Sequence, residues 1–83
     1  MDKVFQIGIY SADKVIYEGE AVSLVVPSES GYLGVLALHA PLVARLKPGM
    51  ITFKDLSGKA ATINISQPGY IEVLRNKATI LLG

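Results

Sequence analysis

Apolar and polar residues alternate in short runs along most of this chain, with a period of two. In Lys3 to Ser11 (KVFQIGIYS), Phe5, Ile7 and Ile9 share one face, with Gln6, Gly8 and Tyr10 on the other. That is the pattern of a half-buried strand. Ala12-Asp13 turns the chain into a second short run, Lys14 to Tyr17, and Glu18-Gly19-Glu20 reads as a polar break. Ala21 to Val26 sets Val22, Leu24 and Val26 inward, and Pro27-Ser28-Glu29-Ser30-Gly31 ends it with turn chemistry. Alternation returns in Met50 to Leu56, with Ile51 and Phe53 on one face, and a hairpin turn follows over Leu56 to Lys59. Lys59 to Ile65 places Ala61, Ile63 and Ile65 inward. Gln67-Pro68-Gly69 introduces Tyr70 to Leu74, and Arg75-Asn76 turns that run into Lys77 to Leu82. About nine short strands, with turns every 6–12 residues or so, predict an all-β sandwich or barrel. Its core is expected to hold Phe5, Ile7, Ile9, Val22, Leu24, Val26, Ile51, Phe53, Ile63, Ile65, Val73 and Ile80.

One stretch departs from the alternation. Gly31 to Gly49 (GYLGVLALHAPLVARLKPG) holds two of the four prolines and the only histidine. Its glycines and prolines suggest a shaped connection between strands. Leu38, Leu42 and Leu46 have helical spacing, and Pro41 suits a helix start. Pro48-Gly49 would cut such a helix to about two turns, too short to stand alone, so the segment reads as extended or irregular. Gly31-Tyr32-Leu33-Gly34 matches no phosphate-cradling motif and reads as a glycine-shaped turn or bulge.

Composition narrows the function. Residues 1–83 make one domain, and an apolar fraction of 51 % excludes a disordered chain. No apolar run approaches the roughly 20 residues of a membrane-spanning helix. There is no cysteine, hence no disulfide and no thiolate metal site. The eight basic residues are interleaved with seven acidic ones, so nucleic-acid binding has no electrostatic footprint. His39 stands alone, and none of the serines lies in a nucleophile motif, so no catalytic or metal-holding constellation is expected, and no cofactor. A structural or interfacial histidine is the simpler reading. What is left over is apolar: Tyr10, Val25, Tyr32, Leu36, Leu38, Tyr70 and one of Leu81 or Leu82 fall outside the expected core. They are either swallowed by a two-sided core or form a partner surface.

Gly31-Tyr32-Leu33-Gly34-Val35-Leu36, His39-Ala40-Pro41-Leu42 and Lys47-Pro48-Gly49 stand at matching spacing to a known signature. With Ser11-Ala12-Asp13, Gly69-Tyr70-Ile71-Glu72-Val73 and Ala78-Thr79-Ile80-Leu81-Leu82, they resemble the ε subunit of F-type ATP synthase (δ in mitochondrial naming). The resemblance covers essentially the whole chain and matches that family's N-terminal β-domain. It implies a flattened antiparallel β-sandwich of nine to ten strands that binds the γ subunit and rests on the c-ring. It would be a rotor part that couples proton transport to ATP synthesis without catalysis or nucleotide binding of its own.

The resemblance also assigns surfaces. Tyr10, Ser11, Leu38, His39 and Pro41 would face γ, and Ser28, Glu29, Ser30, Gly31 and Tyr32 would form the c-ring-facing loop. Ala37-Leu38 stands where the family often has Pro-Gly, so the turn need not have the family's geometry there. Tyr32 replaces a small polar or acidic residue, so packing would take the place of charge. The location implied is peripheral, on the cytoplasmic side of a bacterial inner membrane or the equivalent organelle face, as a monomer until assembled. The family's C-terminal two-helix hairpin has no counterpart before Gly83, so coupling and assembly, without the hairpin's inhibition, are expected. The competing reading is a free-standing β-sandwich adaptor that binds a peptide by strand-edge pairing.

Overall fold

The computed structural model describes residues 3–83. It contains nine strands: β1 (Phe5–Ser11), β2 (Lys14–Ala21), β3 (Ser23–Ser28), β4 (Gly31–Leu36), β5 (Leu42–Leu46), β6 (Gly49–Lys54), β7 (Ala60–Ile65), β8 (Gly69–Leu74) and β9 (Lys77–Leu82). The expected all-β fold is borne out. The strands form one hydrogen-bonded sheet that curls over on itself into two layers. One layer runs β2-β1-β9-β8-β5 and the other β4-β3-β6-β7. All pairs are antiparallel except β1 with β9, which is parallel.

The two layers are stitched by a bent strand. β5 and β6 are its halves, and β3 pairs with both, Ser28 opposite Leu46 and Ser23 opposite Lys54. Between them, Lys47 donates its N–H to the Pro27 carbonyl at 2.9 Å, and Pro48, lacking an N–H, sits at the bend. Strands that switch sheets at such corners close small sandwiches.

Between the layers lie Phe5, Ile7, Ile9, Leu24, Val26, Ile51, Phe53, Ile65, Val73 and Ile80, all buried as expected. Ala21, Val35, Leu46, Ile71 and Ala78 complete that core. Val22 and Ile63 are only half-buried. Val22 sits at the bend between β2 and β3, its N–H bonded to Lys54, and Ile63 lies on edge strand β7, where one side has no neighbour to cover it.

Three expectations about strand limits are corrected. Glu18-Gly19-Glu20 continues β2: the glutamates point outward to Tyr10 and Gln6, while Gly19 leaves room for the Tyr17 ring. That ring packs on Phe53 with centroids 4.7 Å apart. Pro27 and Ser28 belong to β3 and are buried, the Ser28 hydroxyl closing the next turn on the Gly31 carbonyl. Gly31 to Leu36 is a strand, not a turn or bulge, although Gly31 itself takes φ 122°. The ambiguous segment is extended, as read, with Leu42–Leu46 regular.

Every strand runs between two ends of the sandwich. The Ser28 end carries the Ser11–Lys14, Ser28–Gly31, Leu46–Gly49 and Ile65–Gly69 connections. The Asn76 end carries the Ala21–Ser23, Leu36–Leu42, Lys54–Ala60 and Leu74–Lys77 connections.

Candidate functional site

At the Asn76 end the chain leaves its aliphatic side chains outside. Leu38 is 79 % exposed, Val43 69 %, Leu36 63 % and Leu74 41 %. Pro41, Val43 and Leu74 line a shallow groove of about 230 Å³ between β5 and β8, with Glu72 as its charged wall. His39 is half-buried beside it, its N–H donating to the Leu36 carbonyl at 3.2 Å. Its Nδ1 lies 2.7 Å from the Ala40 carbonyl, which can only accept, so Nδ1 carries a proton.

Leu38 adopts φ 62°, the left-handed region that suits the glycine common there in the resembled family. The turn therefore keeps a glycine-like shape despite its leucine. Asn76 holds it: Oδ1 accepts the Leu38 N–H at 2.8 Å, and Nδ2 donates to the Val4 carbonyl at 2.8 Å. Asn76 did not stand out in the sequence beyond its place in a turn. Its partners lie 38 and 72 positions away, beyond any local pattern.

Tyr10 and Ser11 sit at the other end of the five-strand layer. Tyr10 pairs with Leu81 on β9, whereas Asn76, which carries Leu38, precedes the first residue of that strand. At the usual strand rise, Tyr10 lies about 13 Å along the sheet from the level of Lys77. The γ-facing residues expected from the sequence thus form two groups and not one cluster. The Tyr10 hydroxyl donates to Glu18 at 2.7 Å, and this bond to a carboxylate, aided by some burial, raises its pKa above the ordinary tyrosine value.

Across the outer face at that level, the register aligns Val15, Tyr10, Leu81, Tyr70 and Arg45 in one row over five strands. The Arg45 guanidinium lies 5.7 Å from the Tyr70 ring and 3.6 Å from Glu29. Both ionic side chains are well exposed, so the pair contributes little to stability. It does connect this row to the Ser28–Tyr32 loop, whose Tyr32 ring stays exposed on β4. Ser28 alone of that loop is buried.

Nothing among the described residues assembles catalytic or metal chemistry. No group of three or more His, Cys, Asp or Glu side chains comes together, and no buried side-chain polar atom lacks a partner. A cleft of about 600 Å³ at the Ser28 end is walled by Asp13, Lys14, Asn64 and Gln67 over Ile16 and Ile65. It offers one carboxylate and one ammonium, which make no acid–base or nucleophile pair. What the arrangement can do is bind another surface.

Comparison with known proteins gives the family of this domain. Residues 4–83 match the family described as ATP synthase, Delta/Epsilon chain, beta-sandwich domain. An ATP synthase epsilon chain from Dichelobacter nodosus is 42 % identical over 82 residues, covering 99 % of this chain and 56 % of the relative. Another, from Natranaerobius thermophilus, is 35 % identical over 79 residues, with 95 % and 56 % covered. The chain thus spans about half the length of these relatives. Among solved structures, the Euglena gracilis mitochondrial ATP synthase (OSCP/F1/c-ring) contains a chain with TM-score 0.84 at 24 % identity, covering 92 % of this chain and 48 % of that one. A chain of the Tetrahymena thermophila ATP synthase central stalk and c-ring has TM-score 0.74 at 12 % identity, covering 93 % and 61 %. At those identities the two structures speak for the fold alone, and it is the same curled sandwich. With nearly every described residue inside the matched span and the sequence relatives agreeing, this chain belongs to the β-sandwich domain family of ATP synthase delta/epsilon chains.

Proposed function

We propose that this chain is a non-catalytic part of the central stalk of an F1Fo ATP synthase, binding the γ subunit and resting on the c-ring. In that role it passes rotation between proton transport and ATP synthesis, peripherally bound on the cytoplasmic side of a bacterial inner membrane. The observation that carries the reading is the Asn76 end, where Leu36, Leu38 and Leu74 stay exposed on a domain with a closed core. Exposed aliphatics standing close together on a small domain mark a partner site. Membership of the ATP synthase delta/epsilon family supports γ as that partner.

In this reading Leu38, His39 and Pro41 face γ, while Ser28 to Tyr32 face the c-ring from the opposite end. A γ surface that also reaches Tyr10 and Ser11 has to run the length of the five-strand layer. The test is capture of the chain by the γ subunit of its own organism. Leu38→Asp or His39→Asp should weaken capture, because each buries an unpaired charge. Thr62→Asp, on β7 in the other layer, should not. Failure of the unaltered chain to bind γ would overturn the proposal.

One observation favours the adaptor reading in that event. β7 pairs only with β6 and carries no charged residue, so its outer edge is free to accept a strand. Binding of an extended peptide would then perturb the β7 amides first.

A further inference from the structure

Leu38 is bulky, 79 % exposed and held at φ 62°, a backbone region that residues with a Cβ avoid. An exposed side chain adds little to the core, so the strained shape needs an outside anchor and, by the general association of strain with working sites, a purpose. The anchor is Asn76. It ends the two-residue hairpin turn between β8 and β9, with Arg75 at φ 51° and Asn76 at φ 60°. Asparagine is favoured in such a turn, so its conformation there carries little strain.

From that position its groups reach two segments, the Leu38 turn and the stretch on either side of Phe5. Oδ1 takes the Leu38 N–H at 2.8 Å, Nδ2 reaches the Val4 carbonyl at 2.8 Å, and its own carbonyl takes the Gln6 N–H at 3.1 Å. Val4 and Gln6 flank Phe5, which is 2 % exposed, so the far side of the clamp is fixed to the core. The Leu38 turn is thereby tied to the buried start of β1.

We infer that Asn76 is a positioning residue: its side-chain amide clamps the Ala37-Leu38 turn so that Leu38 is presented already ordered to the partner at this end. The inference rests on the γ-binding reading above. A side chain ordered before contact spares the complex the entropy of ordering it later, so losing the clamp weakens binding without removing any contact residue.

Asn76→Gly tests this, because glycine keeps the turn while deleting both side-chain bonds. Two measurements are made on the whole chain. In the free protein, the Leu38 amide should exchange with solvent on the order of tenfold faster in Asn76→Gly, while the amides of Ile71 and Ile80 stay protected. For binding, the γ subunit is the probe, in a double-mutant cycle with Leu38→Ala. Asn76→Gly should weaken γ binding roughly five- to tenfold in the natural background, the scale of one lost hydrogen bond. In the Leu38→Ala background it should add almost nothing, since the presented side chain is gone. Equal losses in both backgrounds would mean that Asn76 acts only on general stability, and the inference would fall. An unchanged Leu38 amide would also overturn it. If the unaltered chain does not bind γ, the stalk reading falls and the presentation role with it. A protected Leu38 amide would then show that the clamp itself is real.

Discussion

The two ends of this sandwich are built from the same strands and differ in what their connections expose. At the Ser28 end the connections are short and polar: Ala12-Asp13, Glu29-Ser30, Lys47-Pro48 and Ser66-Gln67-Pro68. The turn there closes on itself through Ser28, and its charges, Glu29 and Arg45, face each other in solvent. At the Asn76 end, Leu36, Leu38, Leu56 and Leu74 stand out of connections or the last strand positions before them. The Ser28 end is mixed, since Val15, Tyr32, Met50 and Leu81 stay exposed on the strand ends beside those polar connections. An apolar end gains by being covered once and staying covered. The contrast lies in the connections, polar at one end and leucine-bearing at the other.

Substitutions can break the comparison or sharpen it. The largest effect should come from the core both ends share. Ile71→Ala, at a site 0 % exposed, is expected to cost about 2–5 kcal/mol and to unfold both ends in a single transition in urea. Against a total of about 5–15 kcal/mol, that is enough to threaten folding. Ile63→Ala should cost visibly less, because its side chain is only half-buried.

Gly69→Ala comes next and acts at the Ser28 end. A Cβ there would lie 2.1 Å from the Leu81 carbonyl oxygen, which is backbone and cannot swing aside. A loss of about 1–3 kcal/mol is expected in thermal unfolding. Unchanged stability would mean that β8 and β9 part there at little cost.

Leu38→Gly separates stability from binding at the Asn76 end. Glycine relieves the positive φ, offset by the entropy it adds to the unfolded chain, so a gain of up to ~1 kcal/mol is expected. Binding to γ should fall all the same, because the exposed side chain is lost. A variant that binds as well as the natural chain would remove Leu38 from the interface.

The smallest effect is a pH dependence. Asp55 accepts bonds from the Ser57 hydroxyl at 2.6 Å and from the N–H groups of Ser57 and Lys59 at 2.9 and 3.1 Å. The Ser57 hydroxyl foremost, with those amides and the Lys59 charge, holds its pKa below the ordinary aspartate value. A carboxyl lowered on folding stabilises the native state above the unfolded-state pKa, and that contribution disappears as pH falls through the lowered value. The group is fully exposed, so the change should be small, local to the β6–β7 turn, and absent in Asp55→Asn. Proton-by-proton titration of the Ser57 and Lys59 amides would detect it.

How much of this was legible in the sequence follows from where polar contrast exists. Phe5-Ile7-Ile9 and Ile51-Phe53 declared their strands because the residues between them are polar or small. In β4 both faces are apolar, with Leu33 and Val35 inward and Tyr32 and Leu36 outward, so the period of two lost its contrast and the strand passed for a turn. Leu46 hid in a segment whose leucines also fit a helix. Of the set expected outside, Val25, Tyr32, Leu36, Leu38, Tyr70 and Leu81 are exposed, while Tyr10 is half-buried. The division of the expected γ-facing residues between two ends could not be read, because it depends on β1 lying beside β9. The Asn76 clamp was hidden for the same reason.

That parallel pairing of β1 with β9 has a consequence for how the domain comes into being. Gln6 pairs with Glu20 on one side but finds its second strand partner only at Lys77, and β2, already paired to β1, cannot supply the missing side. Loop closure over such a span is slow and adds nothing until it is complete. A nascent chain leaving the ribosome must therefore carry β1 with one open edge until β9 has been made. Only when the ninth strand emerges can the five-strand layer close, so the domain matures in one late step and offers an aggregation-prone edge until then.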